Sequence, residues 1–319
     1  MKTSPGSNPL ERFKGAILDS LVPLLARLLR RYAERPFYEK YFRVWEQHGF
    51  HITPANYYSA IPDTRSLPDS LWTEDSALLG IDMNDAGQRD LLCNVFPTFS
   101  AEYRDFAAQP TGVPSEFHFN NGMFDGIDAL TLYCMVRHFQ PRRIIEVGSG
   151  YSSRVSARAA LRNQSTELIC VEPYPDATLR AGFPGLSDLI PKKIQDLEVQ
   201  FFEQLQPGDF LFIDTSHTVK IGGEVNHLFF NVIPRLKPGV LIHIHDIFFP
   251  REYVKAGVLD MLLFWNEQYL LQAFLMFNSD FEVVLCNSYL GVHYEKDLQR
   301  VFPNSPWWAA GCSFWMRRK

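Results

Sequence analysis

The chain has 319 residues, of which 46% are apolar and 21% are charged, and these proportions are typical of a globular protein with one large domain or two smaller ones. Its formal net charge is −5, so it lacks the excess of basic residues with which nucleic-acid-binding proteins neutralise phosphates. The composition therefore disfavours a nucleic-acid partner.

The first 120 residues are predicted to form a mostly helical section. In residues 8 to about 33 the leucines recur at helical spacing, which predicts an amphipathic helix. Such a helix usually packs on its own protein, and the alternative is a helix that lies on a membrane surface. Further helices are predicted at residues 37–48 and 85–109, with an aromatic and proline-rich loop between them.

From residue 143 onwards, short apolar strands alternate with helical patterns, and this alternation predicts a parallel sheet with crossover helices. The clearest helix runs from Gly222 to Leu236 and is ended by a Lys-Pro-Gly sequence. The predicted strands are Arg143–Val147, Glu167–Glu172, Asp188–Lys193, Phe210–Asp214, Val240–His245, Phe281–Cys286 and Gly311–Met316.

Neither a membrane span nor a disulfide framework is indicated. The longest apolar stretch, residues 256–277, contains Asp260, Asn266 and Glu267 and is too polar to cross a bilayer. No apolar signal segment stands near the start, and we expect a cytoplasmic protein without a membrane partner. The cysteines form no CxxC pair and are interpreted as reduced core residues: Cys93, Cys134, Cys170, Cys286 and Cys312.

A glycine-rich turn follows the first predicted strand, in the sequence RIIEVGSG. Gly148 and Gly150 allow a tight turn and a close approach of the backbone to a ligand, and Ser152 or Ser153 can cap the following helix. The next strand ends in Glu172, 22 residues after Gly150, where a carboxylate can accept hydrogen bonds from both ribose hydroxyls of a nucleoside. The alternative is an ordinary strand–helix turn that happens to use glycine.

The residues of this turn favour S-adenosylmethionine over NAD. Dinucleotide-binding turns usually have a third glycine three residues after the second, and here that residue is Ser153. In addition, Glu146 precedes the first glycine and could hold the amino-acid end of a cationic ligand, directly or through water.

The runs EVGSGYSS, VEP, FIDTSH and HIHD resemble the class I S-adenosylmethionine-dependent methyltransferases, and most closely a bacterial subgroup with IDxSH and HxHD turns. The resemblance implies a Rossmann-like, seven-stranded, mostly parallel α/β sheet with an antiparallel edge. It also implies a division into a helical N-terminal cap, residues 1–120, and a cofactor-binding domain, residues 121–319, with a helical insert at about 248–277.

The resemblance also implies roles for individual residues. Glu146, Gly148 and Gly150 match the first cofactor motif, and Glu172 matches the acid that binds ribose. The remaining matches are Gln195 and Asp196 at the adenine, Asp214 near the methionyl group or the substrate, and Asn120 or Asn121 at the cofactor carboxylate, although the two asparagines equally suit a helix cap.

Two aromatic residues stand beside these motifs. Tyr151 directly follows the glycine turn and Tyr174 follows the segment that contains Glu172. Because ring faces stabilise positive charge, either tyrosine could contact the sulfonium of the cofactor.

Polar residues also follow two neighbouring strands: Asp214 and His217 follow the fourth, and His245 and Asp246 follow the fifth. The carboxyl ends of neighbouring parallel strands line the ligand crevice, so these side chains are expected to converge. His243 shares a strand face with His245 because side chains alternate along a strand.

Three interpretations of this cluster stay open. Asp214 and Asp246 align with the acidic metal ligands of catechol-type methyltransferases, but Ile247 stands where those enzymes have an amide ligand, so a metal is not favoured. His217 or His245, assisted by Asp246, could act as a general base for a hydroxyl or amine. The cluster could also be structural, with its polar groups satisfying one another.

The sequence therefore predicts a methyltransferase that acts on the oxygen or nitrogen of a small molecule, possibly in natural-product biosynthesis, with residues 1–120 and the insert contributing to the substrate pocket. One alternative is a cyclase that converts S-adenosylmethionine to azetidine-2-carboxylate and 5′-methylthioadenosine. The other is a non-catalytic protein that retains the cofactor pocket. Nothing in the sequence fixes the acceptor or the oligomeric state.

Overall fold

The computed structural model describes residues 9–30, 35–303 and 311–319, and at residues 9–12 and 35–38 it describes the backbone alone. Contacts between Cα atoms divide the chain into two units, Met1–Pro68 and Asp69–Lys319. By packing, residues 69–120 therefore belong with the sheet-containing unit. The predicted role of residues 1–120 as a substrate section stays a prediction.

The first unit contains two helices, α1 (Pro9–Arg30) and α2 (Arg35–Gln47), and a 3-10 turn at Thr64–Ser66. Both helices lie where they were predicted, although the predicted end of α1 near residue 33 lies outside the described residues. None of the described helices combines the length and the apolar character needed to cross a membrane.

Within the described residues, the second unit contains one seven-stranded sheet in the order β3-β2-β1-β4-β5-β7-β6. Strands β1 to β5 pair in parallel, and β7 pairs antiparallel with both β5 and β6. The predicted α/β class is confirmed, with the antiparallel strand lying between β5 and the edge strand β6. The strands are β1 (Arg143–Val147), β2 (Glu167–Val171), β3 (Asp188–Ile190), β4 (Phe210–Ile213), β5 (Leu241–Ile244), β6 (Phe281–Cys286) and β7 (Phe314–Arg318).

The helices that follow α2 cover both faces of the sheet. A π-helical segment (Leu91–Val95) and a 3-10 turn (Phe96–Phe99) join α3 to α4, and a similar pair (Leu228–Val232 and Ile233–Arg235) extends α9. The helices are α3 (Asp85–Asp90), α4 (Ser100–Tyr103), α5 (Gly126–Phe139), α6 (Tyr151–Asn163), α7 (Ala177–Ala181), α8 (Gln200–Glu203), α9 (Glu224–His227), α10 (Lys255–Leu259), α11 (Glu267–Leu275), α12 (Asn287–His293) and α13 (Glu295–Val301).

The core consists of two apolar layers, one on each face of the sheet. Ile144 and Phe210 point to the layer that contains α5 and α6, whereas Ile145 and Leu211 point to the layer that contains α9. Because both faces are covered, β1, β4 and β5 are almost continuously apolar, as buried parallel strands generally are.

Two predicted strand boundaries were wrong by three residues, for local reasons, and the other boundaries lie within two residues of the prediction. β3 ends at Ile190 rather than Lys193, because Pro191 has no backbone N–H to donate to the neighbouring strand. β7 begins at Phe314 rather than Gly311, because the backbone N–H groups of Cys312 and Ser313 donate to the carboxylate of Asp128.

Candidate active site at the carboxyl ends of the strands

The glycine turn between β1 and α6 is pressed against the end of β4. Gly148 has φ +78°, and a Cβ atom at this position would overlap the carbonyl oxygen of Asp214, so only glycine fits. Its N–H donates to the carbonyl of Val171 at the end of β2. At Gly150, by contrast, no heavy atom lies within 4 Å of the position that a Cβ would occupy, so this glycine faces open space.

Glu146 lies fully buried beneath this turn. Its Oε1 accepts hydrogen bonds from the hydroxyls of Ser152 (2.7 Å) and Ser153 (2.6 Å). Ser153 also accepts the N–H of Gly150, the N-cap residue of α6, so the predicted capping role of Ser153 is confirmed and the two serines tie Glu146 to the turn. Among the described residues, Oε2 of Glu146 has no hydrogen-bond partner. Burial raises the pKa of this carboxyl to about 7.

Glu172 lies beside the same turn, as predicted. Its Oε2 accepts the N–H of Ser149 (3.3 Å) and its Oε1 accepts the N–H of Tyr174 (2.7 Å). The partly exposed carboxylate therefore joins the β1–α6 loop to the β2–α7 loop, and its remaining lone pairs are free to accept hydrogen bonds from hydroxyl groups.

Other predicted cofactor residues have different surroundings. Nε2 of Gln195 donates to the carbonyl of Gly222 (3.2 Å), and Asp196 is exposed. The ring of Tyr174 is 77% exposed. These three residues lie at the surface around the loops, and their contacts with a cofactor stay predictions.

Tyr151 and Asn121 already have partners. The guanidinium of Arg154 lies 3.9 Å from the ring centre of Tyr151, so one face of that ring already meets a cation. Asn121 donates to the carbonyls of His118 and Phe124, and its oxygen accepts the N–H groups of Met123 and Phe124.

Asn121 thus organises the loop before α5. The cap of this helix is Asp125, so the alternative that the asparagines cap it was wrong. Asn120 donates to the carbonyl of Ala108 and also lies in this loop.

The cluster at the ends of β4 and β5 assembles as predicted. Nε2 of His217 lies 3.3 Å from Oδ1 of Asp214 and 3.1 Å from Oδ2 of Asp246. Nδ1 of His245 lies 3.7 Å and 3.6 Å from the same two oxygen atoms. His217 and Asp246 both adopt left-handed backbone conformations, at φ +55° and +57°, which turn the chain sharply after each strand.

His217 has a further partner that no sequence motif indicated. Oε2 of Glu267, at the start of α11, lies 3.0 Å from Nδ1 of His217, and the side chain of Glu267 is fully buried. The N–H groups of Asn266 and Glu267 both donate to the carbonyl of His217. The insert therefore holds both the side chain and the backbone of His217, and the acid within an apolar helix was the available signal.

These carboxylates determine the charge of His217. Burial disfavours the charged imidazolium, but the hydrogen bonds to Asp214, Asp246 and Glu267 outweigh burial and raise the pKa of His217 to about 11. For Asp246, burial is in turn outweighed by the neighbouring His245 and His217, which hold its pKa well below the usual range. The site at neutral pH is therefore a network of charged groups rather than a neutral histidine base.

The remaining members lie on the side of α5. Nε2 of His245 lies 3.5 Å from Oδ2 of Asp128 and 3.6 Å from Sγ of Cys312. His243 is a core residue: it stacks on Phe212 with ring centres 3.9 Å apart, and Nε2 lies 3.0 Å from the hydroxyl of Ser313. Burial lowers the pKa of His243, so it is neutral and outside the charged network.

Two groups of side chains in the described part of the chain have donor atoms close enough to share a metal ion: Asp214, His217 and Asp246, and Asp128, His245 and Cys312. In the first group, Nε2 of His217 already stands between the two carboxylates. A protonated histidine can thus supply there the positive charge that a metal supplies in catechol-type enzymes.

Part of the sheet-containing unit is similar to known proteins. A family model described as a methyltransferase domain matches residues 145–247, from β1 to the residue after Asp246. The chain is also 31% identical over 163 residues to an uncharacterized protein of Archaeoglobus fulgidus, an alignment that covers 48% of this chain and 73% of that protein.

Among solved structures, similarity is found to the O-methyltransferase TomG of Streptomyces achromogenes, with 13% identity, coverage of 75% of this chain and 92% of that one, and a TM-score of 0.35. A second is the plantazolicin methyltransferase BpumL bound to SAH, with 12% identity, coverage of 74% and 97%, and a TM-score of 0.38. Similarity this weak says nothing about the substrate of this chain.

Proposed function

We propose that this chain, whose residues 145–247 match a methyltransferase domain, is a class I S-adenosylmethionine-dependent methyltransferase that methylates an oxygen or nitrogen atom of a small molecule. The observation that carries the proposal is the position of Asp214. Its backbone touches the glycine turn, and its side chain is part of the His217 cluster. A cofactor at the turn and an acceptor at the cluster would therefore be neighbours.

The residues around the glycine turn suit S-adenosylmethionine, which supplies an electrophilic methyl group on a sulfonium. Glu146 offers the buried, unpartnered Oε2 for a cationic amine, and Glu172 offers a carboxylate for ribose hydroxyls. Gly150 leaves space beside the backbone for the ligand. An orphaned buried carboxylate oxygen is costly unless a donor meets it, which is why we assign the amino group to this position.

The acceptor is expected to contact the carboxylates of Asp214 and Asp246, whose side chains are 27% and 19% exposed. The buried imidazole of His217 contacts both carboxylates. It remains protonated, because the pKa of His217 is raised to about 11. The predicted role of His217 as a free base is therefore replaced by a positioning role. Asp214, as the more exposed carboxylate, is the group best placed to receive a proton from the acceptor.

The charge of the cluster restricts the class of acceptor. The carboxylates of Asp128, Asp214, Asp246 and Glu267 surround only two imidazoles, and such a surface attracts neutral hydroxyl and cationic amine groups rather than phosphates or carboxylates. We therefore propose an alcohol, phenol or amine as the acceptor.

Cyclisation of the cofactor is the competing function. The aromatic residues next to the turn are its main support, but Arg154 occupies one face of the Tyr151 ring, and Tyr174 is exposed. Neither arrangement favours an aromatic ring face that holds the sulfonium while the cofactor chain folds back on itself. Transfer to a second molecule is therefore the better-supported function.

The test uses S-adenosylmethionine labelled with deuterium in the methyl group and a panel of small alcohols, phenols and amines. We expect a trideuteromethyl group on a hydroxyl or amine acceptor and its absence with the Asp214→Asn variant, which keeps the shape of the side chain and removes its charge. Label that stays in intact, bound cofactor with every acceptor would indicate a cofactor-binding protein instead.

A further inference from the structure

We propose that Asp128, His245 and Cys312 form a binding site for a transition-metal ion of the Zn²⁺ class. This site goes beyond the methyl transfer proposed above, and no sequence motif marks Asp128 or Cys312 as a ligand.

The three donor atoms form a nearly equilateral triangle. The distances are 3.5 Å from Oδ2 of Asp128 to Nε2 of His245, 3.5 Å from Oδ2 of Asp128 to Sγ of Cys312, and 3.6 Å from Sγ to Nε2. A tetrahedral zinc ion about 2.0–2.3 Å from nitrogen, oxygen and sulfur ligands places those ligands about 3.3–3.6 Å from one another. The triangle therefore has the dimensions of one face of such a coordination shell.

The surroundings of His245 support a ligand at this position. The side chain is 5% exposed, and its ring nitrogens lie 3.5 to 3.7 Å from the carboxylates of Asp128, Asp214 and Asp246. A charge-assisted hydrogen bond between such groups is usually about 2.7–2.9 Å long. Nε2 of this buried imidazole therefore stands back from Asp128 at the spacing of two ligands of one metal ion, whereas Asp214 and Asp246 face Nδ1.

The backbone builds this site from three distant parts of the chain. Asp128 lies in the first turn of α5, and its carboxylate is oriented by Nδ2 of Asn287 and by the N–H groups of Cys312 and Ser313. Gly311 has φ +88°, and any Cβ there would overlap the Asp128 carboxylate, so glycine lets the chain bring Cys312 alongside.

The donor set selects the class of ion. Imidazole nitrogen, thiolate sulfur and carboxylate oxygen together suit Zn²⁺, Co²⁺ or Fe²⁺, whereas Mg²⁺ and Ca²⁺ prefer oxygen alone. Binding needs the thiolate of Cys312 and an unprotonated Nε2 on His245, so the proton on each of these two atoms is exchanged for the metal ion and released to solvent. On its other nitrogen His245 faces Asp214 and Asp246, the carboxylate neighbours that metal-bound histidines commonly have.

Asp246 connects this site to the acceptor cluster. Its Oδ1 lies 3.1 Å from Sγ of Cys312, and its Oδ2 lies 3.1 Å from Nε2 of His217. A metal ion bound to Cys312 would therefore lie next to the carboxylate that contacts His217.

The experiment uses the full-length protein, stripped of metal with a chelator and titrated with Co²⁺. We expect one equivalent of Co²⁺ to bind and to produce the near-ultraviolet absorption band of thiolate-to-cobalt charge transfer, which an equivalent of Zn²⁺ then removes. Cys312→Ser should abolish the band, whereas the matched Cys93→Ser and Asp214→Asn variants should retain it.

Three outcomes would overturn the site. The folded protein could bind no Co²⁺, or the charge-transfer band could survive in Cys312→Ser. In the third outcome, Co²⁺ binds without producing the band, and this binding is lost in Asp214→Asn. The last would place the ion between Asp214, His217 and Asp246. Circular dichroism confirms folding of each variant, and His245→Gln serves as a second ligand variant if Cys312→Ser does not fold. Because no methyl acceptor is needed, failure here leaves the test of methyl transfer unaffected.

Discussion

Nδ1 of His217 lies 3.0 Å from Oε2 of the fully buried Glu267, although the two residues are 50 positions apart. This contact fixes which nitrogen of His217 faces the strand ends. With Nδ1 directed at Glu267, Nε2 points to the carboxylates of Asp214 and Asp246. The insert after β5 thus controls the chemistry of a turn that follows β4.

Replacing Glu267 with glutamine is expected to weaken the protein in a pH-dependent way. The pKa of His217 is raised from 6.5 to about 11, so the stability that His217 contributes is fully present below pH 6.5 and is lost as the pH rises through 11. Glu267→Gln removes one of the three carboxylates that raise this pKa, and we expect a loss of about 1–3 kcal/mol in the free energy of unfolding at neutral pH.

Urea unfolding between pH 6.5 and 10 measures the effect. The wild type should lose stability as the pH rises, and Glu267→Gln should show a shallower decline. Equal pH profiles for the two proteins would show that Glu267 does not set the charge of His217. The control is Glu252→Gln, which alters an acid elsewhere in the insert.

Alanine variants of Gly148 and Gly150 form a matched pair that tests the glycine turn. Gly148→Ala places a Cβ against the carbonyl oxygen of Asp214 at φ +78°, and overpacking of this kind costs about 1–3 kcal/mol of stability. Gly150→Ala meets no atom within 4 Å, and Gly150 has φ −174°, outside the left-handed region, so this variant should fold with nearly unchanged stability. Its expected defect is weaker cofactor binding, measured by calorimetry. Unchanged affinity in Gly150→Ala would place the cofactor away from this part of the turn.

The raised pKa of Glu146 predicts how the affinity for the cofactor varies with pH. Its pKa is raised from 4.5 to about 7, so the folded protein keeps a proton that the unfolded chain loses, and the stability falls as the pH rises from 4.5 to 7. A cationic amine favours the ionised carboxylate, and affinity for S-adenosylmethionine should therefore increase as the pH rises through 7.

Calorimetry at several pH values compares the wild type with two variants. Glu146→Gln should bind weakly with little change across this range, whereas Glu172→Gln should bind weakly yet keep the pH dependence. A wild-type affinity that does not vary around pH 7 would remove Glu146 from the amine site.

Methyl transfer is expected to proceed without added Mg²⁺ or Mn²⁺. Nε2 of His217 stands 3.3 Å from Asp214 and 3.1 Å from Asp246, so its positive charge occupies the gap that an oxygen-bound metal would fill. Activity of desalted protein should be the same with and without these ions. Activity that appears only when Mg²⁺ or Mn²⁺ is added would show that the Asp214–Asp246 pair binds metal.

The parts of the fold that depend on local patterns could be predicted from the sequence. The apolar periods located the strands, and the rule that parallel strands end at a common edge brought Asp214, His217, His245 and Asp246 together. The end of β3 depends on Pro191. The start of β7 depends on the hydrogen bonds from residues 312 and 313 to Asp128, which are tertiary contacts that a local pattern does not show.

The missed residues are those whose roles arise from long-range packing. Glu267 lies in an apolar helix and Asp128 lies in the first turn of α5, where an acid is ordinary at a helix start. Only the folded chain shows that Glu267 contacts His217 and that Asp128 contacts His245 and Cys312. Conversely, Asn121 was typical of a ligand residue, but its loop uses the side-chain amide nitrogen and oxygen of Asn121 in two hydrogen bonds each.

The most direct test of methyl transfer follows the nucleoside product when the pure protein is incubated with S-adenosylmethionine, first alone and then with the acceptor panel. Transfer predicts a cofactor that is stable alone and is converted to S-adenosylhomocysteine only when an acceptor is present, because the reaction needs a second molecule in line with the methyl group. Rapid formation of 5′-methylthioadenosine from S-adenosylmethionine alone would contradict methyl transfer and identify a cyclase.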